Sequence, residues 1–206
     1  MRSTGFENDP QSERGSNCPR NRFGYTSYSE LYRVEAAFCI RRGHELEQRV
    51  IDGKFDSGHL RKIHWFLFRD IFPWAGEFRV VMIAKPGGAP FAPPVNIASA
   101  LAEALEKLKQ ENYLRGLGRS AFAHRAAYYL GEINAIHPFR EGNGRTQREF
   151  IRQLAGVAGH PLSWAGFTQE QMVAASILSH TRGDNAELAT IIETSMKQAA
   201  EPDSKD

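Results

Sequence analysis

Residues 137–148 read HPFREGNGRTQR, between two segments whose apolar residues recur at helical spacing. The stretch is therefore predicted to be a loop that runs into the N-terminus of a helix. Gly142, Asn143 and Gly144 are small or tolerant of turns, so the backbone can approach a ligand closely. The first N–H groups of the following helix lack intrahelical acceptors and lie at the positive end of its dipole. This combination predicts a site for an anion such as phosphate.

Charged side chains around the loop extend this prediction. Arg145, Arg148 and Arg152 are spaced by three and four residues, which puts them on one helix face, and the first two can reach the same anion. Phosphate oxygens would repel Glu141 unless a hard cation such as Mg²⁺ bridged the two groups. Histidine titrates near neutral pH, so His137 suits the role of general base.

Each of these features has a simpler interpretation when it is taken alone. A histidine before a proline is more often structural, a GNG tripeptide is usually a turn, and a row of arginines is usually a solvated face. Phe139 is interpreted as an apolar anchor that holds the shape of the loop. Because base, carboxylate, amides and arginines occur together within residues 137–148, we favour a site that binds phosphate and carries a general base.

The composition is that of a soluble globular protein. The chain has 206 residues, 41% hydrophobic and 24% charged, and a net charge of +2, which is too weak to indicate nucleic acid or an anionic membrane as partner. Cys18 and Cys39 form no disulfide framework or metal-binding pattern. The sequence has neither an apolar run of about 20 residues nor a signal peptide, so a cytoplasmic protein is expected. We interpret four histidines without ligand-like spacing as structural or surface residues: His64, His124, His160 and His180.

The chain is predicted to fold as one domain over residues 28–199, with an irregular arm at 1–27 and a frayed tail at 200–206. Apolar residues recur at helical spacing through most of this range. Residues 78–94 differ, because a β-branched run is followed by closely spaced glycines and prolines, which indicates a short hairpin or flap. The expected fold class is mainly α, with one small β-flap between the second and third helices.

HPFREGNGRTQR matches the signature of the Fic-domain family, His-x-Phe-x-Asp/Glu-Gly-Asn-Gly-Arg-x-x-Arg, and residues 63–79 resemble the stretch that leads into the flap of that family. The resemblance implies a compact helical fold with a β-hairpin flap over the active-site loop. It also implies a protein adenylyltransferase, which transfers AMP from ATP to a Ser, Thr or Tyr hydroxyl of a target protein.

The resemblance implies roles for the loop residues. His137 would deprotonate the target hydroxyl, and Glu141 would hold Mg²⁺. The amides from Gly142 to Gly144, with the Asn143 side chain, would bind the α-phosphate region.

Arg145 and Arg148 would orient the outer phosphates of ATP. The flap would pair with an extended segment of the target, as a strand added to an edge. The flap residues expected to dock the target are Val80, Val81, Met82 and Ile83.

Other chemistries stay open. Doc toxins, which phosphorylate, resemble this chain but carry a lysine where Gly144 stands, and relatives that transfer other nucleotides or phosphocholine are harder to exclude. A DNA-binding module using the Arg145, Arg148 and Arg152 face would need more positive charge. A catalytically dead interaction domain would not need His137.

The sequence also resembles the stand-alone Fic toxins of toxin–antitoxin pairs. Family members are commonly silenced by a helix with the pattern Ser/Thr-x-x-x-Glu-Gly/Asn, whose glutamate would pair here with Arg148. Residues 3–8, STGFEN, match this pattern, but an internal glycine and Pro10 make them unfit for a helix. We therefore expect a separate small antitoxin to supply the glutamate. Toxins of this kind modify DNA gyrase and topoisomerase IV subunits, which makes those proteins the first candidate targets.

Overall fold

The computed structural model describes residues 9–84 and 89–196. Over these ranges the chain forms seven α-helices, so the predicted mainly α fold is confirmed. No helix within them is long and apolar enough to cross a membrane. The helices are α1 (Tyr28–Gln48), α2 (Ser57–Phe68), α3 (Ile97–Gln110), α4 (Arg119–Ile136), α5 (Asn143–Val157), α6 (Gln169–Arg182) and α7 (Ala186–Ser195).

Helix α4 is the centre of the fold and packs against α3, α5, α6 and α7. Its buried residues lie on all sides, as expected for a helix enclosed by others. Small residues let the neighbours approach: a Cβ on Gly131 would lie 2.6 Å from Asn185 Oδ1 and 2.7 Å from Ser179 Oγ. The C-terminal end of α4 thus enters the 137–142 loop from a fixed position in the core.

Helix α5 presents two different faces. Phe150, Ile151 and Leu154 are fully buried and belong to the core, where α5 packs against α2 and α4. Arg145 and Arg148 lie on the opposite, partly exposed side. This amphipathic pattern keeps the arginines at the surface while the N-terminus of α5 is anchored against α2.

The irregular residues 9–27 lie against the connection that follows α2. Trp74 Nε1 donates to the carbonyl oxygen of Arg20 (2.8 Å), the Arg22 N–H donates to the carbonyl oxygen of Ile71 (2.8 Å), and Gln11 Nε2 donates to Phe78 O (3.3 Å). Hydrogen bonds therefore hold residues 9–27 along this connection, and these residues form no helix of their own.

The predicted hairpin flap is only partly within the described residues. One antiparallel bridge joins Ala84 and Pro90, and the Phe91 N–H donates to the Ile83 carbonyl oxygen at 3.2 Å. Lys85 and residues 86–88, between the bridged positions, lie outside the described residues. Prolines lack the N–H that a ladder needs, which limits regular pairing on the returning side.

His64 of α2 joins two connections across the core. Its Nδ1 accepts the Gly76 N–H (2.8 Å), and its Nε2 donates to the carbonyl oxygen of Glu141 (3.1 Å). The imidazole also stacks on Phe139, with ring centroids 3.9 Å apart. Burial lowers the pKa of His64 to about 3, so the ring stays neutral in the folded protein.

This burial predicts a pH dependence of stability. In the unfolded chain the His64 ring protonates below about pH 6.5, whereas in the folded chain it stays neutral down to about pH 3, so stability falls as the pH falls between these values. Between pH 7.5 and 5, wild type should lose about 2 kcal/mol more of its free energy of unfolding than His64→Gln. Urea unfolding at both pH values measures the difference. His44 is exposed, so His44→Gln is the control and should lose as much free energy of unfolding as wild type between the two pH values. An equal loss in wild type and His64→Gln would contradict the low pKa of His64.

Candidate active site

His137 caps the C-terminus of α4 with left-handed backbone angles, φ 49° and ψ 64°. Such a conformation costs a residue other than glycine about 1–3 kcal/mol, so the surroundings must hold it. Its Nδ1 lies 3.2 Å from the carbonyl oxygen of Asn134. A carbonyl oxygen can only accept a hydrogen bond, so Nδ1 is the donor and carries the proton. The lone pair is then on Nε2, the arrangement that a general base requires.

Asn143 closes the loop on itself. Its Oδ1 accepts the Phe139 N–H at 2.9 Å, and its Nδ2 donates to the Phe139 carbonyl oxygen at 2.7 Å. The side chain is buried, so these bonds satisfy polar groups that would otherwise be costly. The structure thus gives the Asn143 side chain a bracing role that the sequence did not predict.

Gly142 packs against the Phe68 ring, a contact that the sequence did not predict. Its φ is 79°, and a Cβ at this position would lie 2.3 Å from Phe68 Cζ, so no other residue fits without moving the aromatic ring. Helix α5 begins directly afterwards, at Asn143, and Gly144 in its first turn is exposed. The N-terminal amides of α5 are therefore available to an anion above the loop.

One cleft of about 300 Å³ brings together all the residues predicted for base, nucleotide and metal. Residues of α1 and α6 form its other walls. Its predicted lining residues are His137, Glu141, Gly142, Asn143, Gly144, Arg145 and Arg148, and the walls add Tyr28, Tyr32, Ala36, Gln169 and Val173.

The four flap residues predicted to dock the target do not line this cleft. Val80 and Met82 are 59% and 51% exposed, while Val81 and Ile83 are half-buried. This alternation is typical of an extended segment with one face open to a partner.

The Glu141 carboxylate accepts two hydrogen bonds in the cleft. Tyr28 donates its hydroxyl to Oε2 (2.9 Å), and the Gly142 N–H donates to Oε1 (3.0 Å). Burial and the neighbouring Glu141 raise the pKa of Tyr28, which keeps its hydroxyl protonated as the donor. In the described ranges, no three His, Cys, Asp or Glu residues are grouped as a metal site.

Arg145 is oriented by a buried carboxylate of α1. Its Nη2 donates to Glu35 Oε1, and its guanidinium lies 5.0 Å from the centroid of the Phe68 ring. Glu35 is 1% exposed, and burial raises the pKa of its carboxyl while Arg145 opposes that shift. The pair thus fixes one edge of the Arg145 guanidinium at the cleft.

Arg148 has no such counter-charge in the described part of the chain, where no carboxylate pairs with its guanidinium. Burial and the nearby charge of Arg145 lower its pKa. Arg152 differs, because it donates to both oxygens of Glu149 (2.7 Å) and to the Leu46 carbonyl oxygen (2.8 Å). The three arginines therefore do not form one open basic face, and Arg148 is the one that most favours an anion.

The N-terminal arm reaches the same loop through Arg140. Its guanidinium forms an ion pair with buried Asp9 (2.8 Å) and donates to Ser12 Oγ (3.1 Å) and the Asn17 carbonyl oxygen (3.2 Å). Arg140 occupies a variable position of the loop signature, so its partner could not be inferred from the motif.

Arg79 and Phe91 hold the backbone and the ring of His137. Arg79 Nε donates to the His137 carbonyl oxygen at 2.8 Å, and the Phe91 ring stacks on the imidazole with centroids 3.8 Å apart and planes 10° from parallel. Sequence reasoning assigned neither residue a role. For Glu35 a signal existed: it lies on the buried stripe of α1 with Leu31 and Cys39, where a charge is unusual.

Comparison with known proteins agrees with this geometry. A profile of the Fic/DOC family matches residues 54–155. The protein adenylyltransferase VbhT of Bartonella schoenbuchensis is 44% identical over 87% of this chain, which spans 37% of the length of VbhT. The Escherichia coli protein named "Probable protein adenylyltransferase Fic" is 36% identical, and the match covers 94% of each chain.

The fold has a similar relative among solved structures. BepC of Bartonella tribocorum, solved with bound AMPPNP, superposes with a TM-score of 0.83 at 27% identity, covering 92% of this chain and 97% of that one. The loop geometry, the matched family profile and these relatives agree: the chain belongs to the Fic/DOC family.

Proposed function

We propose that this chain is a protein adenylyltransferase, which transfers AMP from ATP to a Ser, Thr or Tyr hydroxyl of a target protein. The observation that carries the proposal is the single cleft that contains His137, the N-terminal amides of α5 and the two guanidinium groups of Arg145 and Arg148. The names of VbhT and the Escherichia coli relative, and the AMPPNP in BepC, support an ATP-dependent nucleotidyl transfer.

The reaction is an in-line displacement at the α-phosphorus. His137 Nε2 accepts the proton of the target hydroxyl, whose oxygen forms a bond to the α-phosphorus. The bond between that phosphorus and the oxygen bridging to the β-phosphate breaks, and pyrophosphate leaves. The contact of Nδ1 with Asn134 O supports this role, because it keeps the lone pair on Nε2.

The phosphates are held by charge and by backbone donors. The amides from Asn143 onward face the negative charge that develops around the α-phosphate, as an N-terminal helix dipole favours. Arg145, oriented by Glu35, and Arg148 bind the outer phosphates and stabilise the leaving pyrophosphate.

Glu141 is suited to hold Mg²⁺ together with the substrate. Both of its oxygens accept hydrogen bonds, as an ionised carboxylate does, and Mg²⁺ is usually bound by one or two carboxylates with substrate phosphates and water. When bound there, Mg²⁺ would neutralise phosphate charge and so ease nucleophilic attack.

The flap is assigned to target docking. A β-hairpin over the cleft would offer a free edge to an extended target segment, and the exposed Val80 and Met82 would contact its side chains. The bond from Phe91 N–H to the Ile83 carbonyl oxygen supports a hairpin that returns along itself. DNA gyrase and topoisomerase IV subunits are the first targets to test.

Transfer of AMP is favoured over the alternatives by the cleft itself. Gly144 is exposed in the first turn of α5, where the phosphorylating Doc toxins carry lysine. A DNA-binding face is disfavoured because Arg145 and Arg152 already pair with Glu35 and Glu149.

Regulation in trans fits the state of Arg148. A second cavity of about 480 Å³, between α1 and α5, adjoins the cleft at Arg145 and Arg148. A carboxylate brought there by an antitoxin helix would pair with Arg148 and compete with the γ-phosphate for the same guanidinium.

His137→Ala should lower AMP transfer by about 10²–10⁴-fold, because it removes the positioned base, while ATP binding is retained. Labelled ATP and a permissive lysate measure transfer, and calorimetry measures ATP binding. His124→Ala, at an exposed position of α4, is the control. Labelling of the target by His137→Ala at the wild-type rate would contradict the role of His137 as the base.

Glu141→Ala should reduce activity and raise the Mg²⁺ concentration needed for half-maximal rate, with partial recovery in excess metal, since the carboxylate ligand is lost. A titration of rate against Mg²⁺ tests this. Glu106→Ala on the exposed face of α3 should leave the metal dependence unchanged. Identical titration curves for wild type and Glu141→Ala would reject the ligand role.

Glu7→Gly should leave activity unchanged if inhibition comes from a separate protein. Residues 3–8 carry the inhibitory pattern but lie outside the described residues. Purified wild type and Glu7→Gly are compared with labelled ATP and the same lysate. Strong activation of Glu7→Gly would identify self-inhibition, in contradiction to the antitoxin proposal.

A further inference from the structure

Arg79 is a buried arginine, 1% exposed, whose hydrogen bonds all go to backbone oxygens. Nε donates to His137 O (2.8 Å), and Nη2 donates to Ile136 O (3.1 Å) and Ala92 O (2.6 Å). Nη1 donates to Val81 O at 2.8 Å. One planar guanidinium thus joins the last turn of α4 to two separate points of the segment that carries the flap.

Carbonyl dipoles replace the usual counter-ion. No carboxylate pairs with Arg79 in the described ranges. Ile136 and His137 carry terminal carbonyls of α4, where the helix dipole is negative, so the cation also stabilises that helix end. Burial lowers the pKa of Arg79 to about 10, and the guanidinium therefore remains charged at neutral pH.

These bonds act on the strained residue of the site. His137 has a left-handed backbone, and Arg79 binds the peptide groups before and after it: Nη2 donates to the Ile136 carbonyl oxygen (3.1 Å) and Nε donates to that of His137. The Arg79 N–H also donates to the carbonyl oxygen of Pro138 (2.9 Å). Proline has no N–H of its own to fix this turn. Without Arg79, the carbonyl oxygens of His137 and Pro138 would lose these donors, and the backbone that follows the imidazole would be less restrained.

The same guanidinium sets the position of the flap. Val81 and Ala92 lie on the outgoing and returning sides of the segment, and the ring of Phe91, next to Ala92, stacks on the imidazole. A shift of either side would therefore move both the target-docking edge and the ring of the base.

We infer that Arg79 is a positioning residue, which holds His137 and the flap in one fixed arrangement and so aims Nε2 at the hydroxyl that the flap presents. This inference rests on the proposed function for its catalytic consequence. Lysine cannot replace Arg79, because one ammonium cannot reach four carbonyls arranged around a planar fork.

The test compares Arg79→Lys with Arg42→Lys. Arg42 is also buried but pairs with Asp70 and Glu45 away from the cleft, so its variant reports the general cost of losing a buried guanidinium. Arg79→Lys should lower kcat for AMP transfer about 10²-fold, as expected when a reacting group is misplaced by about 1 Å, with ATP affinity within about twofold of wild type. Arg42→Lys should lower the melting temperature and leave kcat unchanged.

A second measurement does not depend on activity. In wild type, ¹⁵N spectra of the labelled histidines should show His137 as one tautomer protonated at Nδ1, and the Arg79 Nε–H should exchange slowly with solvent. Arg79→Lys should shift the His137 ring signals towards a mixture of tautomers. If either variant fails to fold, the two measurements on wild type still test the inference. A mixture of His137 tautomers, or an Arg79 Nε–H that exchanges rapidly with solvent, would overturn it.

The outcomes separate the two claims. Wild-type kcat and unchanged His137 signals in Arg79→Lys would overturn the inference, as would a loss of ATP affinity in proportion to kcat, because that indicates general loosening. If wild type transfers no AMP, but the His137 ring signals of Arg79→Lys differ from those of wild type, the proposed function fails. The inference that Arg79 positions His137 would still hold.

Discussion

The structure around the cleft is constrained by the hydrogen bonds that the buried backbone of the 137–142 loop requires. A loop that passes through a helical core has no ladder or helix to accept its hydrogen bonds, and each unpaired buried group costs about 1–3 kcal/mol. Here five of the six carbonyl oxygens of the loop have identifiable donors from side chains or backbone outside the loop. They are Arg79 for His137 and Pro138, Asn143 for Phe139, His64 for Glu141, and Thr146 for Gly142.

This set of donors explains why the site can be both irregular and rigid. Each donor belongs to a helix or is buried against one, so the loop inherits the rigidity of its frame. A left-handed histidine and a glycine pressed against Phe68 would be unfavourable in an isolated turn. The charges are arranged in the same way, since Glu35 of α1 compensates Arg145 and leaves Arg148 as the more electropositive end of the cleft.

The sequence predicted what is encoded locally. The mainly helical fold and the family follow from apolar spacing and from twelve consecutive residues, and the comparisons confirm both. The other supporting residues could not be predicted, because Asp9, Tyr28, His64 and Arg79 lie far from the loop along the chain. A buried arginine such as Arg79 has no local signature that separates it from an exposed one. The hairpin is a further case, since proline-rich segments give weak strand signals and their geometry is set by tertiary contacts.

The bonds that shape the loop also span long stretches of chain: 58 residues from Arg79 to His137, 77 from His64 to Glu141 and 131 from Asp9 to Arg140. Contacts of such sequence separation form late in folding, because large loops must close before the contacts can compensate the lost entropy. Local helices can form earlier, but His137 would reach its orientation only after the arm, α2 and α4 have come together. A nascent or misfolded chain would therefore carry the complete motif without the assembled cleft.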